Sequence, residues 1–145
     1  MKLIWMALSF LLTTSLTWLT DFEQAKQTAK EKNQYILLNF SGSDWCIPCQ
    51  QMKKEIFESS SFSSYASSNL VLLNADFPRS RKNKLSKTQL AHNEALAEQY
   101  NKSGKFPLTV LLNSEGKVLK VWDGLPDGGA ELFIRQISTF DHAPN

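Results

Sequence analysis

Two closely spaced cysteines, set between an apolar run and a helical pattern, constrain the fold of this chain most. Cys46 and Cys49 are its only cysteines. The apolar run YILLNF at residues 35–40 precedes them, and a glycine-containing turn at 41–44 joins the two. After the turn, apolar residues recur at helical spacing; these are Cys49, Met52, Ile56 and Phe57. The order is therefore strand, tight turn, cysteine and helix.

This order has a chemical consequence for Cys46. A residue at the start of a helix lies beside backbone N–H groups that have no helical partner, at the positive end of the helix dipole. A thiolate is stabilised there, so we expect the pKa of the Cys46 thiol to fall below its ordinary value of about 8.5. Cys49 lies on the same helical face, where a slightly tightened first turn allows a disulfide. Pro48 costs little in this turn, because its missing N–H had no helical partner.

The residues around the cysteines resemble the thioredoxin superfamily. The motif is Trp-Cys-x-x-Cys after an apolar strand and before a helix. The longer string Asn-Phe-Ser-Gly-Ser-Asp-Trp-Cys at 39–46, with Met-Lys-Lys-Glu-Ile-Phe at 52–57, is similar to the exported bacterial thioredoxin-like branch. That branch includes the soluble domains of thiol:disulfide interchange proteins. The resemblance covers residues 18–140, nearly the whole chain after the leader.

The resemblance implies roles for particular residues. Cys46 corresponds to the nucleophile that attacks a substrate disulfide, and Cys49 to the cysteine that resolves the mixed disulfide. It also implies a substrate-binding groove formed by Trp45, Ile47, Pro48, Phe106 and Pro107. The bond before Pro107 is expected to be cis, although only about 5–6% of X–Pro bonds in folded proteins are. Ile47 occupies a position that influences redox poise in the family.

Two departures from the family pattern affect the chemistry. Thioredoxins carry a buried Asp before the active site and a buried Lys on the next strand, and the matching residues here are Asn39 and Leu72. Because a buried charge without a partner is costly, the acid and the base are expected to be lost together, as they are here. Asn39 cannot accept a proton, so deprotonation of Cys49 would use water or another carboxylate. Asp44 and Glu55 are the candidates, and the sequence does not decide between them.

The N-terminus has the pattern of an export signal. Lys2 provides a positive start, Leu3 to Leu12 is apolar apart from Ser9, and small polar residues follow at 13–15. We expect residues 1–16 to be an export signal and residues 17–145 to be a thioredoxin-like domain in the periplasm. The alternative is an uncleaved membrane anchor, although the segment is short and polar for a span of about 20 apolar residues.

Other roles for the cysteines are less favoured. Export permits structural disulfides, but a bridge between Cys46 and Cys49 closes a very small loop and would stabilise the domain little. Zinc usually takes at least three protein ligands, and besides the two thiols only His92 and His142 are available. We expect His92 to be a packed or surface residue of a helix rather than a catalytic base. We therefore predict no metal and no cofactor.

The rest of the chain predicts alternating helices and strands. Thr20 to Glu23 matches a capping box for a first helix. A buried strand at 70–76 follows the strand–helix unit through a right-handed crossover. A helix at 85–100, a hairpin at 108–122 and a last helix at 131–140 complete the order; a short helix is expected in the serine-rich stretch 59–68. The prediction is an α/β, thioredoxin-like fold with a central mixed β-sheet flanked by helices on both faces.

The charge distribution limits the kinds of partner. A net charge of +2 lacks the basic bias of a nucleic-acid binder. Five cations without an acid between them occur at residues 79–87. We expect a solvated loop there, with an acidic partner or anionic lipid headgroups as the alternative.

The functional prediction is an exported thiol–disulfide oxidoreductase, leaning towards reduction or exchange. Its partners would be disulfide-containing proteins and a membrane thiol electron donor, and the chain itself is expected to be a monomer. The alternative from another class is a binding protein that holds a client or Cu(I) on the same two thiols.

Overall fold

The computed structural model describes residues 15–141. The export signal predicted at 1–16 falls almost wholly outside the described residues, and so does His142. The domain boundary at residue 17 therefore stays a prediction. Within the described part of the chain, no helix combines the length and apolar character needed to cross a membrane.

The described strands form one five-stranded sheet in the order β1-β3-β2-β4-β5. Their bounds are β1 Trp18–Leu19, β2 Tyr35–Ser41, β3 Leu70–Asp76, β4 Leu108–Leu112 and β5 Val118–Asp123. β3 pairs in parallel with β1 and β2, whereas β4 is antiparallel to β2 and β5. The predicted mixed sheet is confirmed. β1 was not predicted, because two residues are too few to show a period.

Helices cover both faces of this sheet, as predicted. They are α1 Phe22–Lys32, α2 Ile47–Met52, α3 Ser60–Asn69, α4 Lys87–Tyr100 and α5 Gly129–Ser138. A 3₁₀ turn, Arg81–Asn83, lies before α4. One apolar core packs α1 and α4 against the sheet, and a second packs α2, α3 and α5 on the opposite face.

The central strand β2 supplies both cores. Ile36 and Leu38 face the α1–α4 side, and Leu37 between them faces the other side. All three are fully buried, and burying an aliphatic side chain of this size contributes about 1.5–3 kcal/mol. This double burial explains the nearly continuous apolar run.

Two local predictions need correction. The helix predicted after the cysteine turn, from apolar spacing that runs as far as Phe57, ends as an α-helix at Met52 and continues as a π-helix, Lys53–Phe57. The wider turn, in which the Glu58 N–H donates to the Lys53 carbonyl at 2.9 Å, buries Ile56 and Phe57 while Lys53 stays exposed.

The capping box predicted at Thr20 is wrong by one residue. The carboxylate of Asp21 accepts the N–H of Gln24 at 2.8 Å. A charged carboxylate is a stronger acceptor than the Thr20 hydroxyl, so α1 begins one residue later than the box implied.

Candidate active site

The turn between β2 and α2 determines where Cys46 lies. The carbonyl of Gly42 accepts the N–H of Trp45 at 3.2 Å and the N–H of Cys46 at 2.8 Å. A Cβ at residue 42 would overlap the indole ring of Trp45, so the glycine is required by close approach of that ring. Ser43 donates from its N–H and its Oγ to the Asp76 carboxylate at 2.9 and 2.6 Å. The turn is thereby fixed to the end of β3 as well as to β2.

Cys46 and Cys49 form a disulfide, with their Cα atoms 5.2 Å apart. Cys46 is the residue immediately before α2, and its sulfur accepts the N–H of Cys49 at 3.3 Å. Pro48 lies in the first turn of α2, as expected. Both cysteines are 5% exposed, so exposure does not distinguish them. What distinguishes the two cysteines is the backbone N–H of Cys49, which is directed at the sulfur of Cys46.

Three aromatic side chains beside the cysteines form what we call the aromatic wall: Trp45, Phe77 and Phe106. The Phe106 ring lies edge-on to both other rings, with centroids 5.5 Å apart in each pair. The indole Nε1 of Trp45 donates to the carbonyl of Phe77 at 2.8 Å. Sequence reasoning missed Phe77, which follows β3 and carries no motif.

The remaining predicted groove residues differ in exposure. The Phe106–Pro107 peptide bond is cis, as the resemblance implied. Phe106 is half-buried within the aromatic wall, and Pro107 is buried. Ile47, by contrast, is 69% exposed. The apolar side chain next to the disulfide that a partner could reach most easily is therefore Ile47.

Asp44 has a positional role that the sequence did not indicate. Its carboxylate accepts the N–H of Arg79 at 2.9 Å, the N–H of Ser80 at 2.8 Å and the side-chain amide of Asn83 at 3.0 Å. The Arg79 backbone bond, followed by those of Asn83 and Ser80, lowers the pKa of Asp44 below its ordinary value. A carboxylate so engaged is a weak proton acceptor, which disfavours Asp44 as the base for Cys49.

A cavity of about 830 Å³ lies against Cys49 and is lined by both polar and apolar side chains. Asn39, Ser41 and Asn74 line it from the sheet, and Glu58 lines it from the end of the π-helix. Neither Asp44 nor Glu55, the carboxylates suggested by the sequence, is among the lining residues. Cys46 does not line it either, so the two sulfurs of the disulfide have different surroundings.

The position of the family's buried Asp is filled by a hydrogen-bonded amide. The Oδ1 of Asn39 accepts the hydroxyl of Thr109 at 3.1 Å, and its Nδ2 is 3.5 Å from Oδ1 of Asn74. Asn39 is 7% exposed and Thr109 fully buried. Leu72 lies in the apolar core. The acid and base of the family pattern are thus replaced here by an amide that hydrogen-bonds to Thr109 and Asn74 and by an apolar core residue, Leu72.

His92 and metal binding were the other candidates that the sequence raised. The Nε2 of His92 accepts the N–H of Phe22 at 3.1 Å, so His92 fixes the start of α1, in agreement with a packed role. Within residues 15–141, no group of three or more His, Cys, Asp or Glu side chains is placed to hold a metal ion.

Known proteins are similar to this chain in sequence and in fold. A family model described as thioredoxin-like matches residues 17–114. The disulfide bond reductase DsbH of Chlamydia pneumoniae is 36% identical over 116 residues, covering 80% of this chain and 68% of the relative. The thioredoxin-related protein DsbJ of the same organism is 32% identical over 101 residues, which cover 70% of this chain but only 28% of DsbJ.

A solved structure is similar as well. The structure of a DsbH oxidoreductase superposes with a TM-score of 0.77 at 33% identity. The match covers 86% of this chain and 83% of the other.

Proposed function

The chain belongs to the thioredoxin-like family and is a thiol–disulfide oxidoreductase, and from that premise we propose that it reduces disulfide bonds in exported proteins. The observation that carries the proposal is the N–H of Cys49 directed at the sulfur of Cys46. A relative that is 36% identical is named a disulfide bond reductase, which supports the reducing direction.

In the proposed reaction, the Cys46 thiolate attacks one sulfur of a substrate disulfide. The substrate S–S bond breaks, a mixed disulfide forms, and the other substrate sulfur leaves as a thiolate. The Cys49 thiolate then attacks the Cys46 sulfur. This step releases the second substrate thiol and forms the Cys46–Cys49 disulfide, so two electrons pass from the enzyme to the substrate.

The two cysteines take different roles because of their surroundings. The backbone N–H stabilises negative charge on Cys46, which makes this sulfur the attacking group. Cys49 borders the cavity that Asn39, Ser41 and Glu58 line, and its proton leaves into that cavity, where water or Glu58 can accept it. Glu58 lines this cavity, whereas Asp44 and Glu55 do not, and its carboxylate pairs with exposed Lys53 at 3.9 Å; it is the acidic side chain that we propose in their place.

The residues around the disulfide bind the substrate chain. Trp45 and Phe106 form part of the aromatic wall, and Ile47 adds exposed apolar surface. Pro48 and the cis Pro107 complete the proposed groove. Apolar contact of this kind is largely independent of sequence, which suits an enzyme that acts on several disulfide-containing proteins.

A reductase leaves each cycle in its oxidised form and needs an external supply of electrons. We propose a membrane thiol protein as the donor and the periplasm as the compartment, because the N-terminus has an export pattern. The protein would act there as a monomer.

Reduction of insulin by the full chain, with dithiothreitol as the electron source, tests this proposal. We expect turnover that Cys46→Ser abolishes, and Cys49→Ser, reduced and then freed of dithiothreitol before insulin is added, should accumulate a mixed disulfide. Lys117→Gln, at the opposite end of the sheet, serves as the control and should keep the full rate. Turnover that survives in Cys46→Ser would contradict the proposal. Absence of turnover, with one tightly held copper per chain, would support a binding protein instead.

A further inference from the structure

A concentrated positive charge borders the aromatic wall. We call residues 79–87 the basic segment; its cations are Arg79, Arg81, Lys82, Lys84 and Lys87. All five are exposed, and none forms an ion pair with another residue of the described range 15–141. The whole chain has a net charge of only +2. The positive charge is therefore local, and nothing within the described chain neutralises it by direct pairing.

The basic segment is fixed to the active-site turn. The three hydrogen bonds to the Asp44 carboxylate come from Arg79, Ser80 and Asn83. Asp44 is two residues before Cys46, so the start of the segment is anchored beside the disulfide. An anchored surface loses less conformational entropy on binding than a free loop would.

Arg79 brings its charge to the aromatic wall itself. Its guanidinium lies over the ring of Trp45, with the guanidinium carbon 3.7 Å from the ring centroid. Stacking of this kind uses the flat face of the guanidinium and leaves its in-plane N–H donors available. Those donors match the two oxygens of a carboxylate. Trp45 directly precedes Cys46, so a carboxylate bound there would belong to a molecule that also reaches the disulfide.

We propose that the basic segment is a docking surface for an acidic stretch of the substrate protein, next to the disulfide that Cys46 attacks. The inference rests on the proposed reductase function. Arg79 pairs with one carboxylate at the aromatic wall, and the outer cations attract acidic chains over a longer range. A substrate chain satisfies both contacts at once, since it must lie against Trp45 to react. A lipid headgroup has no such reason to be at the disulfide.

The test compares two synthetic peptides, each with one internal disulfide. One carries Glu residues beside the cysteines, and the other carries Gln in the same places. The full chain should reduce the acidic peptide about tenfold faster at low ionic strength, a typical size for electrostatic steering. Added salt should remove this preference, because exposed charges are screened beyond about 10 Å at 0.1 M.

Matched variants assign the preference to this surface. Arg79→Gln, and separately Lys82→Gln with Lys84→Gln, should lower the ratio of acidic to neutral peptide rates towards one. The control, Lys117→Gln, removes one exposed cation beyond β4, whose last residue Leu112 pairs with Ile36 near the start of β2. That end of the sheet lies away from the cysteines, so the control should keep the full ratio.

Two further measurements separate the possible failures. Equal rates on both peptides, with normal reduction of uncharged hydroxyethyl disulfide, would overturn the docking proposal alone. Failure on all three substrates would overturn the reductase function and the docking proposal together. Sedimentation with phosphatidylglycerol vesicles, lost in Lys82→Gln with Lys84→Gln, together with equal peptide rates, would assign the basic segment to a membrane and contradict the proposal.

Discussion

The central strand β2 changes character halfway along its length. From Ile36 to Leu38 its side chains are apolar and fully buried, and they pack into the two cores. Asn39 and Ser41 are also buried, but their polar groups line the cavity against Cys49. On the face towards α2, the same strand therefore builds the core in its first half and the surroundings of the resolving cysteine in its second, while Phe40 on the opposite face stays in the apolar core.

The two halves of β2 are stabilised by different interactions. The apolar half depends on burial of hydrocarbon, which is strong and has no direction. The polar half depends on hydrogen bonds, since a buried polar group without a partner costs about 1–3 kcal/mol. Within the described residues, no buried side-chain N or O atom lacks a partner. We infer that substitutions in the first half change stability, whereas those in the second half change chemistry as well.

The largest expected effect is in the apolar half. Leu37→Ala should lower the free energy of unfolding by about 2–5 kcal/mol, because it removes a fully buried side chain from the core beneath α2 and α5. Urea unfolding measures this loss. The rate of insulin reduction per folded molecule should stay the same. A large fall in that rate would contradict the inference that the apolar half of β2 affects stability alone.

A smaller loss of stability is expected from the hydroxyl that supports the polar half. Thr109→Val leaves the Oδ1 of Asn39 without its donor, at a cost of about 1–3 kcal/mol. Thr88→Val, an exposed change on α4, is the control and should stay within about 0.5 kcal/mol of the wild type. Equal unfolding midpoints for the two variants would show that the Asn39 hydrogen bond contributes nothing.

Asn39→Asp should make the polar half sensitive to pH. Burial raises the pKa of the introduced carboxyl group above its unfolded value of about 3.9. The folded state then holds the proton more tightly, so the variant is most stable below about pH 3.9 and loses stability as the pH rises through the folded-state pKa. At pH values above the folded-state pKa, each unit by which burial has raised that pKa lowers the free energy of unfolding by about 1.4 kcal/mol. Urea unfolding of Asn39→Asp and of the wild type at a series of pH values tests this prediction. If the free energy of unfolding varies with pH in the same way for both proteins, the prediction is contradicted.

The smallest effect concerns the anchor of the basic segment. Asp44→Asn should speed amide hydrogen exchange at Arg79 and Ser80 with little change elsewhere. In the wild type, the lowered pKa of Asp44 keeps this anchoring fully present above about pH 3.9, and it is lost as the pH falls through the folded-state value. Slow exchange in Asp44→Asn would show that other contacts fix the segment.

The sequence predicted the parts of the molecule that local pattern controls. The apolar run, the turn and the cysteine pair are contiguous, so period and order were enough to place Cys46 before α2. The cis bond at Pro107 followed from the resemblance. Both are confirmed by the structure.

The parts that were missed depend on contacts between distant segments. Asp44 and Arg79 are 35 residues apart, and neither side chain has a local pattern that indicates the other. Asn74 borders the cavity only because the parallel register sets it beside Asn39. The π-helix after Met52 carries Ile56 and Phe57 into the core, and periodicity along one helix does not reveal its wider turn.

The most direct test concerns the sulfur of Cys46, on whose negative charge the proposed reaction depends. The reduced Cys49→Ser variant keeps the backbone N–H of residue 49 and leaves one thiol, whose ionisation can be followed by ultraviolet absorbance. We predict that this thiol titrates clearly below about 8.5, the ordinary cysteine value. A titration at 8.5 or above would contradict the account.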